Sequence, residues 1–350
     1  MQYRIMYVVM KRSTKNLAVI IPNLNGGDML LDAIESLLKQ AGSCSVIVVD
    51  NASSDGSADD AVRKFPSTHL IRHKRNRGYA GGVNTGLRHA IKTGARYVAV
   101  FNDDAVADSN WLKYLVSYLD EHSSVGAVAC KVLSANKETF DSAGDYLTTW
   151  GLPYPRGRGE TDRGQYDTPG EIFAASGAAS LFRTEALKDV GLFDEAFFAY
   201  YEDVDLGFRM QNRGWKVGYE PKAVAYHAIG ATSSRMRGFT TYQTLKNLPL
   251  LVWKNMPFWL LFPVLPRFYL AYWMFFWRAV LRGHGWSAVR GVVMATFWLV
   301  WKLPEIMILD AKRKVSTRYI WSILQHDLPP NAHSLRKFQD YWRKIWRKRP

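Results

Sequence analysis

The chain reads as an α/β protein: a mostly parallel sheet flanked by helices, followed by an aromatic, basic helical region. Three observations predict this. Short apolar runs alternate with helical spacing through the first hundred residues, polar residues stand at the ends of those runs, and the composition shifts after about Gly238. Of the 350 residues, 48% are hydrophobic, which suits a chain with a sizeable core rather than a disordered one.

Taken in order, residues 17–21 form a buried strand bounded by Pro22, and a helix follows over about 29–39. Residues 45–49 are a second strand ending in Asp50, with a helix after Asp55 and Gly56, and residues 69–72 a short third. Residues 80–92 are helical by spacing, and 97–101 are a fourth strand that ends in Asn102, Asp103 and Asp104. In such sheets ligands bind beyond the carboxyl ends of the strands, which is where Asn23, Asp50, Asp103 and Asp104 all fall. Residues 148–170, rich in Gly, Pro, Arg and Asp, read as a long mobile loop. An ordered run resumes at Ile172, a helix covers 202–212 up to Gly214, and two short strands, 216–219 and 223–226, lead to His227.

The domain division expected is a lead at 1–16, a catalytic domain at 17–237 and an appendage at 238–350. Within the appendage, 258–281 and 292–309 are dense in Phe, Trp, Tyr and Leu but interrupted by Pro, Arg and Lys, so neither is an unbroken spanning segment. Trp with Arg and Lys at intervals fits helices lying in the headgroup boundary. The alternative is an aromatic helical cover over the core, in a monomer or a homodimer. The formal charge of +15 is concentrated in the tail beyond Lys312, where Asp327 and Asp340 are the acids, and such a tail suits anionic lipid. Two cysteines, Cys44 and Cys130, without metal-ligand spacing argue against a disulfide scaffold or structural zinc and for a reducing cytosolic setting. The apolar run at 5–10 is too short for a signal peptide.

Two acidic clusters carry the chemistry. Adjacent carboxylates at a strand end, Asp103 and Asp104, suit Mg²⁺ or Mn²⁺, although Asn-Asp-Asp is also ordinary turn chemistry. His227, closing a later strand, is a candidate second ligand. Asp50 and the turn-rich residues after it can accept hydrogen bonds from a base imide or ribose, with capping as the competing role. The glycine-rich stretch from Asn76 through Gly78 and Tyr79 to Gly82 opens a helix, where backbone amides can approach phosphate. Glu202, Asp203 and Asp205 begin a helix after an aromatic run, so they satisfy the helix dipole and also sit where desolvation makes a carboxylate a better base. Residue chemistry alone does not choose among these three.

The segments VIIPNLN (19–25), VVDNASSDGS (48–57), NRGYAGGVNTG (76–86), NDD (102–104) and GLFDEAFFAYYEDVDLGFR (191–209), followed by His227, resemble the family-2 glycosyltransferases over residues 17–235. The branch most similar is that of the bacterial rhamnosyltransferase-like enzymes. The resemblance implies a GT-A fold, Rossmann-like, and inverting transfer of rhamnose or another hexose from a dTDP- or UDP-sugar. It implies Asp50 on the nucleotide, with Pro22, Asn23, Asn25, Asn76, Gly78, Tyr79 and Asp103 around the donor. It further implies Asp104 and His227 on a divalent metal, Asp203 as general base, Glu202 and Asp205 as acceptor-binding or orienting, and Arg209 as a structural or acceptor contact. The branch often has Asn-Pro-Asp where this chain has Asn102, Asp103 and Asp104, which leaves the donor nucleotide open. Gln211 to Trp215 is similar to the QxxRW signature of processive synthases, but Gly214 stands where that motif has Arg, so addition of one or a few sugars is expected.

The expected acceptor is lipid-linked or a cell-envelope polysaccharide, and the expected location is the cytoplasmic face of the cell membrane, peripheral or monotopic. The charge also raises a nucleic-acid-binding protein as an alternative, and the fold a non-catalytic membrane-surface scaffold. No nucleic-acid reading motif is present, and the acidic clusters argue against an idle scaffold.

Overall fold

Val and Ile runs that are apolar at every position, not at alternate ones, can be buried on both faces only inside a sheet covered by helices. That is how the N-terminal half is built in the computed structural model, which describes residues 16–40, 44–228, 236–330, 332, 335 and 336. The run at 5–10 and the last part of the basic tail, 337–350, lie outside the described residues. The chain alternates β1 (Leu17–Asn23), α1 (Gly27–Leu38), β2 (Ser45–Asp50), α2 (Ser57–Lys64), β3 (His69–Arg72), α3 (Gly78–Lys92) and β4 (Tyr97–Phe101). Strands β3, β2, β1 and β4 lie side by side in that order, all parallel.

The second half is mixed. It adds β5 (Ala105–Ala107), α4 (Trp111–Glu121), β6 (Val125–Ser134), β7 (Phe140–Ser142), β8 (Asp145–Leu147), β9 (Pro153–Pro155), β10 (Gly170–Ile172), β11 (Ala179–Arg183), α5 (Thr184–Val190), α6 (Glu202–Asn212) and β12 (Lys216–His227). Strand β11 runs antiparallel between β4 and β6, and β12 is parallel to β6. The carboxyl ends of β1, β2, β4, β6 and β12 therefore share one edge of the sheet.

Helices cover both faces. On α1 the buried positions Leu30, Ala33, Ile34 and Leu37 follow the helical period and pack with α4 under one face. On the other face α3, α5 and α6 share a core. Helix α3 sits unusually close, because a Cβ at Gly86 would meet the Ile20 side chain at 2.5 Å.

Three expectations are corrected. The region 148–170 is not a free loop: β9 pairs with β8, and Lys131 ties Asp162 (2.8 Å) and Asp167 (2.5 Å) to β6. The two strands at 216–226 are one, with a bulge between Glu220 and Val224. And the segment after Gly238 does not begin as an appendage. Helix α7 (Phe239–Asn255) buries Gln243, Lys246, Asn247, Lys254 and Asn255 against the catalytic body, sharing a third core with Val204 and Phe208 of α6. Beyond it come α8 (Phe258–Ala279), α9 (Gly285–Trp301), α10 (Leu303–Ala311) and α11 (Thr317–Ile323), with a sharp break between α8 and α9 at Gly283 (φ 79°). By length and composition alone, the stretch Phe258–Trp301, which includes the break at Gly283, is apolar enough to cross a membrane, and 33% of its most apolar window is buried in the protein.

Candidate active site

The shared carboxyl edge gathers two walls. The first is made by the loops after β1 and β2, whose ends face each other at the register Asn23–Asp50. Small polar side chains knit these loops together. Asn23 donates to Ser53 Oγ (3.0 Å) and Ser57 Oγ (3.1 Å), and accepts from Gly26 N. Asn25, at φ 55°, accepts from Ser54 N (2.8 Å), and Asp50 Oδ1 accepts from Ser53 N (3.0 Å). Asp103 Oδ2 accepts from Leu24 N (3.1 Å), which joins the β4 end to the same wall. Burial, then the neighbouring Asp104, pushes the Asp103 carboxyl up to about 7. Asn23 is wholly buried, with its amide used inside the protein, so it braces the wall and has no exposed atom for a ligand.

The metal-side pair follows from topology. Strand β5 pairs with β12 so that Ala105 faces His227, which brings Asp104 beside the imidazole. His227 Nε2 lies 3.0 Å from Asp104 Oδ1, an ionic contact without hydrogen-bond alignment, and Nδ1 lies 2.8 Å from Asp141 Oδ2. Burial opposes the charge on this ring, but the two carboxylates outweigh it and push it up to about 9. Asp104 Oδ1 and Asn102 Oδ1 are buried oxygens without a hydrogen-bond donor. Among the described residues no three Asp, Glu, His or Cys side chains converge at metal-ligand spacing. Mg²⁺ and Mn²⁺ complete their shells from phosphate and water, so an oxygen-rich set with one imidazole, oriented by a carboxylate behind it, fits such an ion.

The second wall carries the base candidates. A cleft of about 260 Å³ is lined by Tyr79, Asp145, Arg158, Glu202, Asp203 and His227, among others. Asp203 is aimed into it by two backbone amides, Gly177 N on Oδ2 and Val204 N on Oδ1, both 2.8 Å. The Tyr79 hydroxyl donates to the Gly177 carbonyl and so steadies that same turn. Burial raises the Asp203 carboxyl. Glu202 is raised well above the usual range, by burial and then by Asp203, and its Oε2 has no partner. Asp205 points elsewhere: it is fully buried against Arg209 (2.9 Å), Lys254 (3.0 Å) and Asn255 (2.8 Å), so it is a packing anchor and not a group in the cleft. Gly78 is needed for packing rather than for phosphate approach, since a Cβ there would meet the Phe198 carbonyl at 2.4 Å.

The family profile described as glycosyltransferase like family 2 matches residues 15–246. The chain belongs to that family. An N-acetylglucosaminyl-diphospho-decaprenol L-rhamnosyltransferase of Mycobacterium tuberculosis is 29% identical over 210 residues, 55% of this chain and 68% of the relative. A dTDP-rhamnosyl transferase of Shigella flexneri is 27% identical over 248 residues, 69% of this chain and 81% of the relative. Among solved structures, a mannosyltransferase from Pyrobaculum calidifontis in complex with GDP-Man and Mn²⁺ aligns with a TM-score of 0.51 at 19% identity, covering 91% of this chain and 92% of its own. GalNAc-T7 with UDP, GalNAc and Mn²⁺ aligns with a TM-score of 0.55 at 16% identity, covering 68% of this chain and 48% of its own. This family-2 glycosyltransferase therefore has the GT-A fold.

Four groups of the glycosyltransferase site were not singled out from sequence. Asp141 bridges His227 and Arg158, the latter at 2.6 Å, and Asp145 sits near Asp203 with its carboxyl pushed up to about 8 by burial and then by that neighbour. Arg158 comes from the region read as a loop. The fourth group is a clamp on the segment before Glu202, where Phe198, Tyr200 and Tyr201 all have φ between 66° and 70°. Asn247 Nδ2 donates to the carbonyls of Phe197, Ala199 and Tyr200, and Lys246 Nζ to those of Ala196 and Phe197. Three non-glycine residues in the left-handed region are costly and persist only when surroundings over-determine them. The sequence signal was available: a Lys-Asn pair directly before the apolar run Leu248–Trp253 of one helix has to find buried acceptors.

Proposed function

We propose that this chain moves rhamnose or another hexose, with inversion, from a dTDP- or UDP-sugar to a lipid-linked or cell-envelope glycan acceptor at the cytoplasmic face of the cell membrane. The observation that carries the proposal is the contrast between the two adjacent acids. Both acids line the cleft, but Glu202 is buried, its Oε2 has no partner and its carboxyl is raised well above the usual range, whereas Asp203 is less buried and has both oxygens oriented by backbone amides. A base must be ionised and aimed, and Asp203 is the better placed of the two.

Asp203 takes the proton of the acceptor hydroxyl as its oxygen forms a bond to the anomeric carbon. The bond from that carbon to the diphosphate oxygen breaks on the opposite face, and the electron pair leaves with the nucleotide diphosphate. Asp104 and His227 would hold Mg²⁺ or Mn²⁺, which supplies positive charge to the departing diphosphate. Arg158, half-exposed and oriented by Asp141, adds a second cation beside the cleft. Asp50 and Asp103 form the nucleotide side, and Tyr79 holds the Gly177 turn that aims the base. Both bacterial relatives are named for rhamnosyl transfer, one to a diphospho-decaprenol acceptor, which supports the donor and acceptor classes. Exposed Trp259, Trp277, Trp286 and Trp301 on the C-terminal helices support the membrane surface.

Substitution Asp203→Asn is expected to lower kcat by roughly 10²–10⁴-fold while leaving the donor Kd within a few-fold. Near-normal turnover would remove Asp203 as the base. The anomeric configuration of the product, read by NMR, decides inversion.

A further inference from the structure

An apolar groove of about 830 Å³ lies between α7 and α8, lined by Leu248, Leu270, Trp273, Met274 and Trp277 among others. It is three times the size of the catalytic cleft and touches it: Tyr201 and Pro153 line both. The junction falls two residues from Asp203, on the base side, and away from the Asn23–Asp50 wall. Arg278 is the one charged residue in the groove lining among the described residues. The lining reaches Leu281, which is 86% exposed and stands next to the break at Gly283.

We propose that this groove holds the isoprenoid chain of a lipid-linked acceptor diphosphate. The inference rests on the glycosyltransfer reading above and names the part of the acceptor that reading leaves undefined. A hydroxyl attacking from the Asp203 side must carry whatever is attached to it out through a neighbouring cavity, and the cavity that meets the cleft there is this one. Its walls are mostly aliphatic and aromatic, as a hydrocarbon chain requires. The same helices expose Trp273, Trp277 and Leu281, so a chain leaving the groove would pass onto apolar surface and not into water. The volume is within the range of sites that enclose a ligand, roughly 300–1,000 Å³.

The test measures binding of geranyl, farnesyl and geranylgeranyl diphosphates to the full chain by titration calorimetry, with UDP as a control for folding. Affinity should rise roughly tenfold with each added isoprene unit. Met274→Trp, which fills the groove, and Leu270→Asp, which charges it, should flatten that gradient and leave UDP binding unchanged. Affinity independent of chain length, or a gradient intact in both variants, overturns the proposal. The two readings fail separately. Transfer to a lipid-linked acceptor without any chain-length gradient sinks the groove alone. A gradient in a protein that glycosylates no lipid-linked acceptor sinks the acceptor reading and leaves the groove.

Discussion

The two walls of the active site are held by different physics. The first wall is knit by several neutral side chains beside Asp50 and Asp103: Asn23, Asn25, Ser53 and Ser57 satisfy one another across two short loops, and the residue with positive φ there is an Asn, a type that tolerates it. The base wall is remote and charged. Its segment Phe197–Tyr201 has three aromatic residues in the left-handed region, held by Lys246 and Asn247 from a helix about fifty positions further on. A wall knit by several overlapping side-chain bonds tolerates the loss of one of them. A wall forced into an unfavourable conformation from outside depends on each of its few restraints.

That contrast can be broken at four points, in falling order of effect. Asp104→Asn should weaken donor binding in Mn²⁺ by at least roughly 100-fold, and EDTA should have little further effect on the variant. An unchanged donor Kd would separate Asp104 from the diphosphate side. Asn247→Ala leaves the Ala199 and Tyr200 carbonyls without their side-chain donor, while Phe197 keeps Lys246, and we expect a loss of about 3 kcal/mol in urea unfolding with a fall in kcat of roughly 10–100-fold. A kcat that holds while stability drops would show that the clamp braces the fold without setting the base.

Lys246→Met tests the charge. Burial holds this ammonium down to about 8 from the usual 10.5, so between those values the unfolded chain binds more protons than the folded one. The Lys246 contribution to stability therefore rises with pH across that window, and the stability of the wild type relative to Lys246→Met should grow between pH 8 and about 10.5. A flat difference would place the lysine in solvent. The smallest effect is expected at Asn25→Gly: glycine accepts φ 55°, and one exposed bond is lost, so stability should stay within about 0.5 kcal/mol and the donor KM rise only a few-fold.

Legibility in the sequence divides along the same line. The strands β1, β2 and β4 and the position of Asp50, Asp103 and Asp104 at their ends were readable, because a fully buried parallel strand is a nearly continuous apolar run that ends on a polar residue. The second half was harder. Strands β7, β8, β9 and β10 are three residues long, too short for a periodic pattern, so Asp141, Asp145 and Arg158 had no frame to place them in. The resemblance implies an acceptor-binding or orienting role for Asp205, but two positions along a helix from Asp203 turn a side chain by about 200°, onto the opposite face. That rotation buries it against Arg209 and Lys254.

From sequence alone the fold class, the glycosyltransferase family and the polar edge where the chemistry gathers could be determined, since each is carried by residues close together in the chain. Only the tertiary structure decided that Asp205 turns away from the cleft that Glu202 and Asp203 line, and that α7 packs against α6 in a shared core. It also set an apolar groove beside that cleft, with Tyr201 and Pro153 lining both. Those outcomes depend on contacts between segments tens of residues apart, where burial and hydrogen-bond geometry, rather than local pattern, set the direction of each side chain.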